Sequence, residues 1–266
     1  MDSSRQRQHY AKIHDAYEAH YYDASSMKYR QRFIYDWLFD GIDLTNKKVA
    51  DLACGSGYNS LVVLERFSGA QTTGFDISAP ACESYRRTTG NTARVIDLTR
   101  PIETPEAFDA AIVVGGLHHC VTNLPQTLRN VAEMIKPGGH LMMMEPSSDF
   151  VLNVVRDKWY ARDRYFDAPT EEALSHDAIL KDAAPFFKRE AIRYFGGPAY
   201  FLILNSLVTR VPLGIKPILW PLLKPIEVAF CNIPWRGIYP CFLARWQRTK
   251  VPVRSISPSL QTWVSN

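Results

Sequence analysis

The sequence predicts an α/β protein, a parallel sheet covered on both faces by helices, and three observations predict it. From residue 47 short apolar runs alternate with helical stretches, the pattern of strands buried on both sides. A turn of small residues, Gly55-Ser56-Gly57, separates the first run from the first helical stretch. Acidic residues then close successive runs, Asp76 after Thr72–Phe75 and Asp97 after Ala93–Ile96. At 266 residues, 46% hydrophobic and 22% charged, the chain can bury a sizeable core, which excludes a disordered or fibrous protein.

The elements follow in order. Residues 1–26 set Tyr10, Tyr17, Tyr21 and Tyr22 among charges, a texture of short helices. Residues 27–40 read as an amphipathic helix, because Phe33, Ile34, Trp37 and Leu38 share one face. Strands are predicted at 47–53, 72–77, 93–97, 109–115 and 139–145, with helices at 57–68, 79–88 and 124–136 between them. Leu128, Val131, Ala132 and Ile135 form the inner face of the last helix, and Lys136-Pro137-Gly138-Gly139 supplies its stop and a turn into the fifth strand. Further strands fit 186–195 and 238–248. Between them, 198–240 holds seven of the 17 prolines among many Leu, Ile and Trp residues. Prolines 212, 217, 221 and 225 should break a single long helix, so short linked apolar helices are expected. The division is a single domain over 1–250, with a helical cap (1–46), a cofactor-binding core (47–146), an acceptor region (147–237, apolar insertion 198–237) and a loosely ordered tail (251–266).

Charge and cysteines bound the partners. Lys plus Arg (31) exceeds Asp plus Glu (27) by only four, too little to announce a nucleic-acid binder. Five cysteines without CxxC spacing suggest neither a disulfide framework nor a zinc site, and a reducing cytoplasm suits them. The first ten residues lack the apolar core of a secretory signal, and no stretch reaches the ~18 uncharged apolar residues of a membrane span.

The chemistry gathers at the glycine turn. Gly55 and Gly57 let backbone approach a ligand, and the following helix N-terminus offers N–H groups to an anion. Asp76, 19 residues beyond Gly57, can accept from both ribose hydroxyls. Asp97 can accept from an exocyclic adenine amine, so a bound adenosine moiety is expected. Where a dinucleotide site would carry its third glycine stands Ser60, and Asp51 lies inside the strand, an awkward neighbour for two phosphates. That carboxylate suits a cationic ligand bearing an ammonium and a sulfonium.

Asp51-Leu52-Ala53-Cys54-Gly55-Ser56-Gly57, Asp76, Asp97-Leu98, Phe108–Val114, Leu117-His118-His119 and Lys136-Pro137-Gly138-Gly139 resemble the ordered motifs of class I S-adenosylmethionine-dependent methyltransferases. The likeness is to the small-molecule branch that methylates quinones, sugars and natural products, and it covers residues 47–146. The chain departs from the pattern at Ala53, where the family often has glycine. The resemblance implies a Rossmann-like, mostly parallel seven-stranded sheet with its last strand reversed. It implies S-adenosylmethionine as cofactor, with its methionine end by Asp51, Ala53, Gly55 and Gly57. Ribose and adenine would meet Asp76 and Ile77, the adenine edge Asp97 and Leu98, and the reacting centre Gly115.

His118 and His119 follow the fourth strand at the edge where such folds bind ligands, and one of them is read as general base or acceptor-orienting group. Against this stands the reading that one packs under the loop while the other faces water. With Cys120 they make no metal site, because three adjacent side chains do not converge on one ion. His14 and His20 lie in the cap, His140 suits a structural place in the fifth strand, and His176 sits in a stretch that could border the acceptor. Tyr17, Tyr21 and Tyr22 are read either as a lid over the cofactor or as half-buried helix residues.

Residues 199–232 carry only Arg210, Lys216, Lys224 and Glu227 as formal charges, a net +2 on apolar helices. That mixture suits peripheral contact with the inner face of a membrane or a lipophilic acceptor, and equally a lid or a homodimer interface. The expected function is methyl transfer to a small, lipophilic or lipid-linked acceptor, onto oxygen. The rivals are an NAD(P)-binding oxidoreductase and a non-catalytic cofactor-binding partner subunit.

Overall fold

A computed structural model describes residues 18–102, 107–154, 156 and 172–250. Expectations for 1–17, including Tyr10, His14 and Tyr17, and for the tail 251–266 lie outside the described residues. Seven strands form one sheet in the order β3-β2-β1-β4-β5-β7-β6. They are β1 (Lys48–Leu52), β2 (Gln71–Asp76), β3 (Ala93–Val95), β4 (Phe108–Val114), β5 (Ile135–Pro146), β6 (Phe187–Phe195) and β7 (Cys241–Arg248). β1 to β5 pair in parallel, and β7 enters reversed between β5 and β6. This is the Rossmann-like sheet with a reversed last strand.

The continuous apolar runs arise because both faces are covered. On β4, Ala111 and Val113 face the layer that holds Leu128 and Val131 of α4 (Leu124–Met134) and Ile179 of α5 (His176–Ala183). Ala110 and Ile112 face the opposite layer, with Tyr29 of α1 (Ala24–Arg30), Val63 of α2 (Tyr58–Arg66) and Phe33 in the turn that prolongs α1. Asp23 caps α1 by accepting from Ser25 N, and the chain continues helically, through a wider turn at Gln31–Tyr35, to Leu38. α3 (Ala79–Thr89) starts on a Ser78 cap and ends on left-handed Gly90, covering β2 and β3.

Three local expectations change. β3 stops at Val95, so Asp97 sits two residues past the strand, in the loop that leaves it. Ile135 belongs to β5 and not to the preceding helix, and Lys136–Gly139 forms a bulge opposite Asp109, with pairing jumping from Phe108↔Ile135 to Ala110↔His140. The prolines do not prevent a continuous helix, since α6 runs over Lys216–Phe230 with Pro221 and Pro225 inside it. Pro217 occupies the first turn, where no N–H bond is lost, and all three rings are exposed. The inner side holds the helix instead: Leu219, Trp220 and Leu223 pack on the core, and buried Lys216 and Glu227 bond to other elements. Short helical turns at Tyr200–Leu204, Ser206–Thr209 and Leu213–Ile215 lead into it, as expected for the rest of the insertion. Among the described residues no helix is long and apolar enough to cross a membrane.

Candidate functional site

The turn between β1 and α2 is built from left-handed backbone at three positions, Ala53 (φ 50°), Gly55 (φ 49°) and Gly57 (φ 88°). At Gly57 a Cβ would come within 2.6 Å of Thr89 Cγ2 and 2.8 Å of Tyr85 Cδ2, so glycine lets α3 close on the turn. At Gly55 a Cβ would meet nothing within 4 Å. Its backbone therefore borders open space, at the strand ends between β1 and β4 where the order of the sheet reverses.

Carboxylates brace this turn from below and from the side. Asp51 is fully buried and accepts from Ser60 Oγ (2.8 Å), Ser60 N (3.1 Å) and Asn59 Nδ2 (3.3 Å). Burial pushes its carboxyl up to about 7, against the pull of those donors. Asp76 accepts from Gly55 N with one oxygen (3.0 Å) and from Ser78 N with the other (2.9 Å), so it is fixed beside the open face of Gly55. Asp97 is tied into its own loop by Thr99 N (3.0 Å), Thr99 Oγ1 and Arg100 Nε (3.3 Å). Leu98 turns into the core, while Ile77 is half-buried beside Asp76.

The loop after β4 carries the histidines. Glu145, near the end of β5 and fully buried, gathers Gly116 N (3.0 Å), Leu117 N (2.8 Å) and His118 N (3.3 Å). Its Oε2 also lies 2.8 Å from His118 Nδ1. The partly exposed His118 ring is thus held in one orientation, with Cε1 3.8 Å from where a Gly115 Cβ would stand. His119 lies against it, ring centroids 3.8 Å apart.

Residues 50–141 match the family model for the methyltransferase domain. Over those residues the chain is similar to methyltransferase domains. A curated relative, the ubiquinone biosynthesis O-methyltransferase of Stutzerimonas stutzeri, is 31% identical over 112 residues, covering 40% of this chain and 47% of the relative. The ribosomal protein L11 methyltransferase of Shewanella piezotolerans is 32% identical over 110 residues, covering 41% and 36%. The chain thus spans about half the first relative's length and about a third of the second's. The fold extends the likeness. An N-methyltransferase from Bradyrhizobium japonicum, solved with S-adenosyl-L-homocysteine, superposes with a TM-score of 0.53 at 12% identity, covering 88% of this chain and 97% of that one.

One residue of the site escaped the sequence reading, and the lid candidates divide. Glu145 was missed, although an acid closing the apolar run Leu141–Met144 repeats the signal that singled out Asp76 and Asp97. Tyr22 stacks on Tyr58, next to Gly57, with centroids 4.0 Å apart, and Arg30 lies over the Tyr22 ring, 4.6 Å from its centroid. Tyr21 turns away to bond Asn205, so the adjacent tyrosines part company. His176 is a core residue rather than a pocket wall: fully buried, it accepts from Trp246 Nε1 at 3.1 Å and packs edge-on to Phe242. His140 pairs with Glu190 across the sheet, and His20 bonds Ser206.

Proposed function

We propose that this chain binds S-adenosylmethionine over Gly55 and transfers its methyl group to an oxygen of a small, lipophilic molecule. One observation carries the reading: the open left-handed turn at Gly55 follows β1 and His118 follows the adjacent strand β4, so both stand at the same edge of the sheet, with Glu145 near the end of β5 holding the ring. When bound, the cofactor supplies a methyl group activated on sulfonium. Gly55 admits it while Gly57 lets α3 close behind the turn, Asp76 accepts from the ribose diol, and Asp97 with Ile77 and the backbone of Leu98 borders the adenine. Asp51 favours an ammonium group from beneath the turn alongside Ala53, and Gly115 lines the reacting centre.

His118 does the chain's own proton work. With Nδ1–H donating to Glu145, the Nε2 lone pair is left to take a proton from an acceptor hydroxyl. The ring's setting beside Gly115 supports that role, because an in-line transfer gains from a base and an acceptor held in alignment. His119 backs the ring and orients it. Tyr22, stacked on Tyr58, closes the turn from above.

Calorimetric titration with S-adenosylhomocysteine, followed by methyl-transfer assays on lipophilic phenols, tests the reading. Binding of the homocysteine product together with methylation that fails in His118→Asn is the expected result. Tighter binding of a nicotinamide dinucleotide would replace it with the oxidoreductase reading, and cofactor binding without transfer to any acceptor with the partner-subunit reading.

A further inference from the structure

Helix α6 is turned inside out. Its two ionisable ends point inward: Lys216 Nζ donates to His20 O (2.7 Å), Ser26 Oγ (2.7 Å) and the Asp23 carboxylate. Glu227 accepts from Tyr29 OH (2.7 Å), Gly197 N (2.8 Å) and Ala199 N (2.8 Å). Its outward face is instead apolar, with Ile218 66%, Leu222 63% and Ile226 50% exposed at helical spacing beside the three proline rings. Other exposed apolar residues follow the helix. Trp235 is 57% exposed, and the loop after β5 adds Leu152 and Val154, joined there by Val151 N donating to Gly237 O.

We propose that this face docks on the surface of a lipid bilayer rich in anionic headgroups. The charge pattern selects that occupant. Of the four formal charges in 199–232, Lys216 and Glu227 are spent inside, which leaves exposed Arg210 and Lys224, both positive, with no exposed acid. Anionic lipid complements such a surface. A second copy seated on it would instead bring the same basic charges into an apolar interface. The prolines set the depth. Pro221 and Pro225 have no N–H to give, so the carbonyls of Pro217 and Pro221 lack their helical donors and need water or headgroups. The helix therefore lies in the interface plane, neither spanning nor sinking into hydrocarbon. Docking stands independently of the methyl-transfer reading, since none of these residues belongs to the site at Gly55.

Co-sedimentation of the full chain with vesicles tests this, comparing phosphatidylcholine alone with phosphatidylcholine mixed with phosphatidylglycerol, at low and high salt. Pelleting with the mixed vesicles, weakened by salt, is expected. Ile218→Asn with Leu222→Asn should reduce it at least tenfold, and Lys224→Glu should reduce it severalfold, with melting temperatures unchanged because these side chains are exposed. Absence from both pellets at low salt would overturn the proposal, as would binding that the paired Asn variant leaves intact. Sedimentation equilibrium is the third arm: a dimer dissolved by that variant, without lipid binding, would make the face a contact between copies and equally overturn it.

Discussion

Glu145 and Glu227 are both fully buried, and each gathers backbone N–H groups from a nearby loop, yet the two regions use the device for opposite ends. In the loop after β4 the cluster is completed by a partly exposed histidine ring, so the buried carboxyl group sets the orientation of something at the surface. Under α6 it is completed by the hydroxyl of Tyr29, itself fully buried and pushed well above the usual phenol range chiefly by that burial. There the carboxyl group orients a whole helix and leaves its apolar side in contact with solvent. A buried acid thus marks what is being held in place, and only its surroundings say whether the held part is reactive or structural.

The sharpest way to break this contrast is at Glu145. Glu145→Gln presents an amide N–H₂ to groups that already donate, so His118 loses its fixed tautomer. Methyl-transfer kcat should fall by roughly 10²–10⁴, as for loss of a positioned base, while calorimetric affinity for S-adenosylhomocysteine stays near that of the unaltered chain. Glu227→Leu should do the reverse. Stranding the N–H groups of Gly197 and Ala199 and the Tyr29 hydroxyl should cost about 3–5 kcal/mol by denaturant unfolding, with the cofactor affinity of the folded fraction little changed.

Asp51 provides a pH-dependent arm. Its folded value of about 7 stands above the ordinary 3.8, so between those values the folded state holds a proton that the unfolded chain has released. Stability of the ligand-free protein should therefore decline as pH rises from about 4 to 7, by at most about 4 kcal/mol at 1.36 kcal/mol per unit. Melting curves should lose that slope in Asp51→Asn. Asp76→Ala should weaken cofactor binding by roughly 1–3 kcal/mol, through lost charge-assisted bonds and the freed Gly55 N–H. Ala53→Gly is the smallest change: relief of left-handed strain, less the entropy glycine loses on folding, should add about 0.5–1 kcal/mol by the same unfolding measurement.

The sheet was legible because its strands are local. Apolar runs mark β1, β2 and β4 within a residue or two, and the glycine turn announces where a ligand can approach. The His118–Glu145 pair was half legible. The histidines stand out after β4, but the acid that fixes one of them lies 27 residues on and reaches it only because β4 and β5 pair in parallel. Least legible was α6. Its composition shows an apolar helix, but which side faces inward is decided by Asp23 and Tyr29, 193 and 198 residues away in the chain. Proline spacing misled for the same reason: a break costs about 3 kcal/mol per interior proline, and long-range contacts that a sequence window does not contain offset it.

An open sheet ends in two unpaired strands, and each is guarded in its own way. At one border β3 is only three residues long, too short a template for another chain. At the other, β6 places Lys188, Arg189 and Glu190 in solvent and breaks its register between Arg189 and Ala191. Neither margin invites strand-to-strand fibril growth, so the protein can leave an oily helix uncovered without also offering a β-edge on which aggregates could propagate.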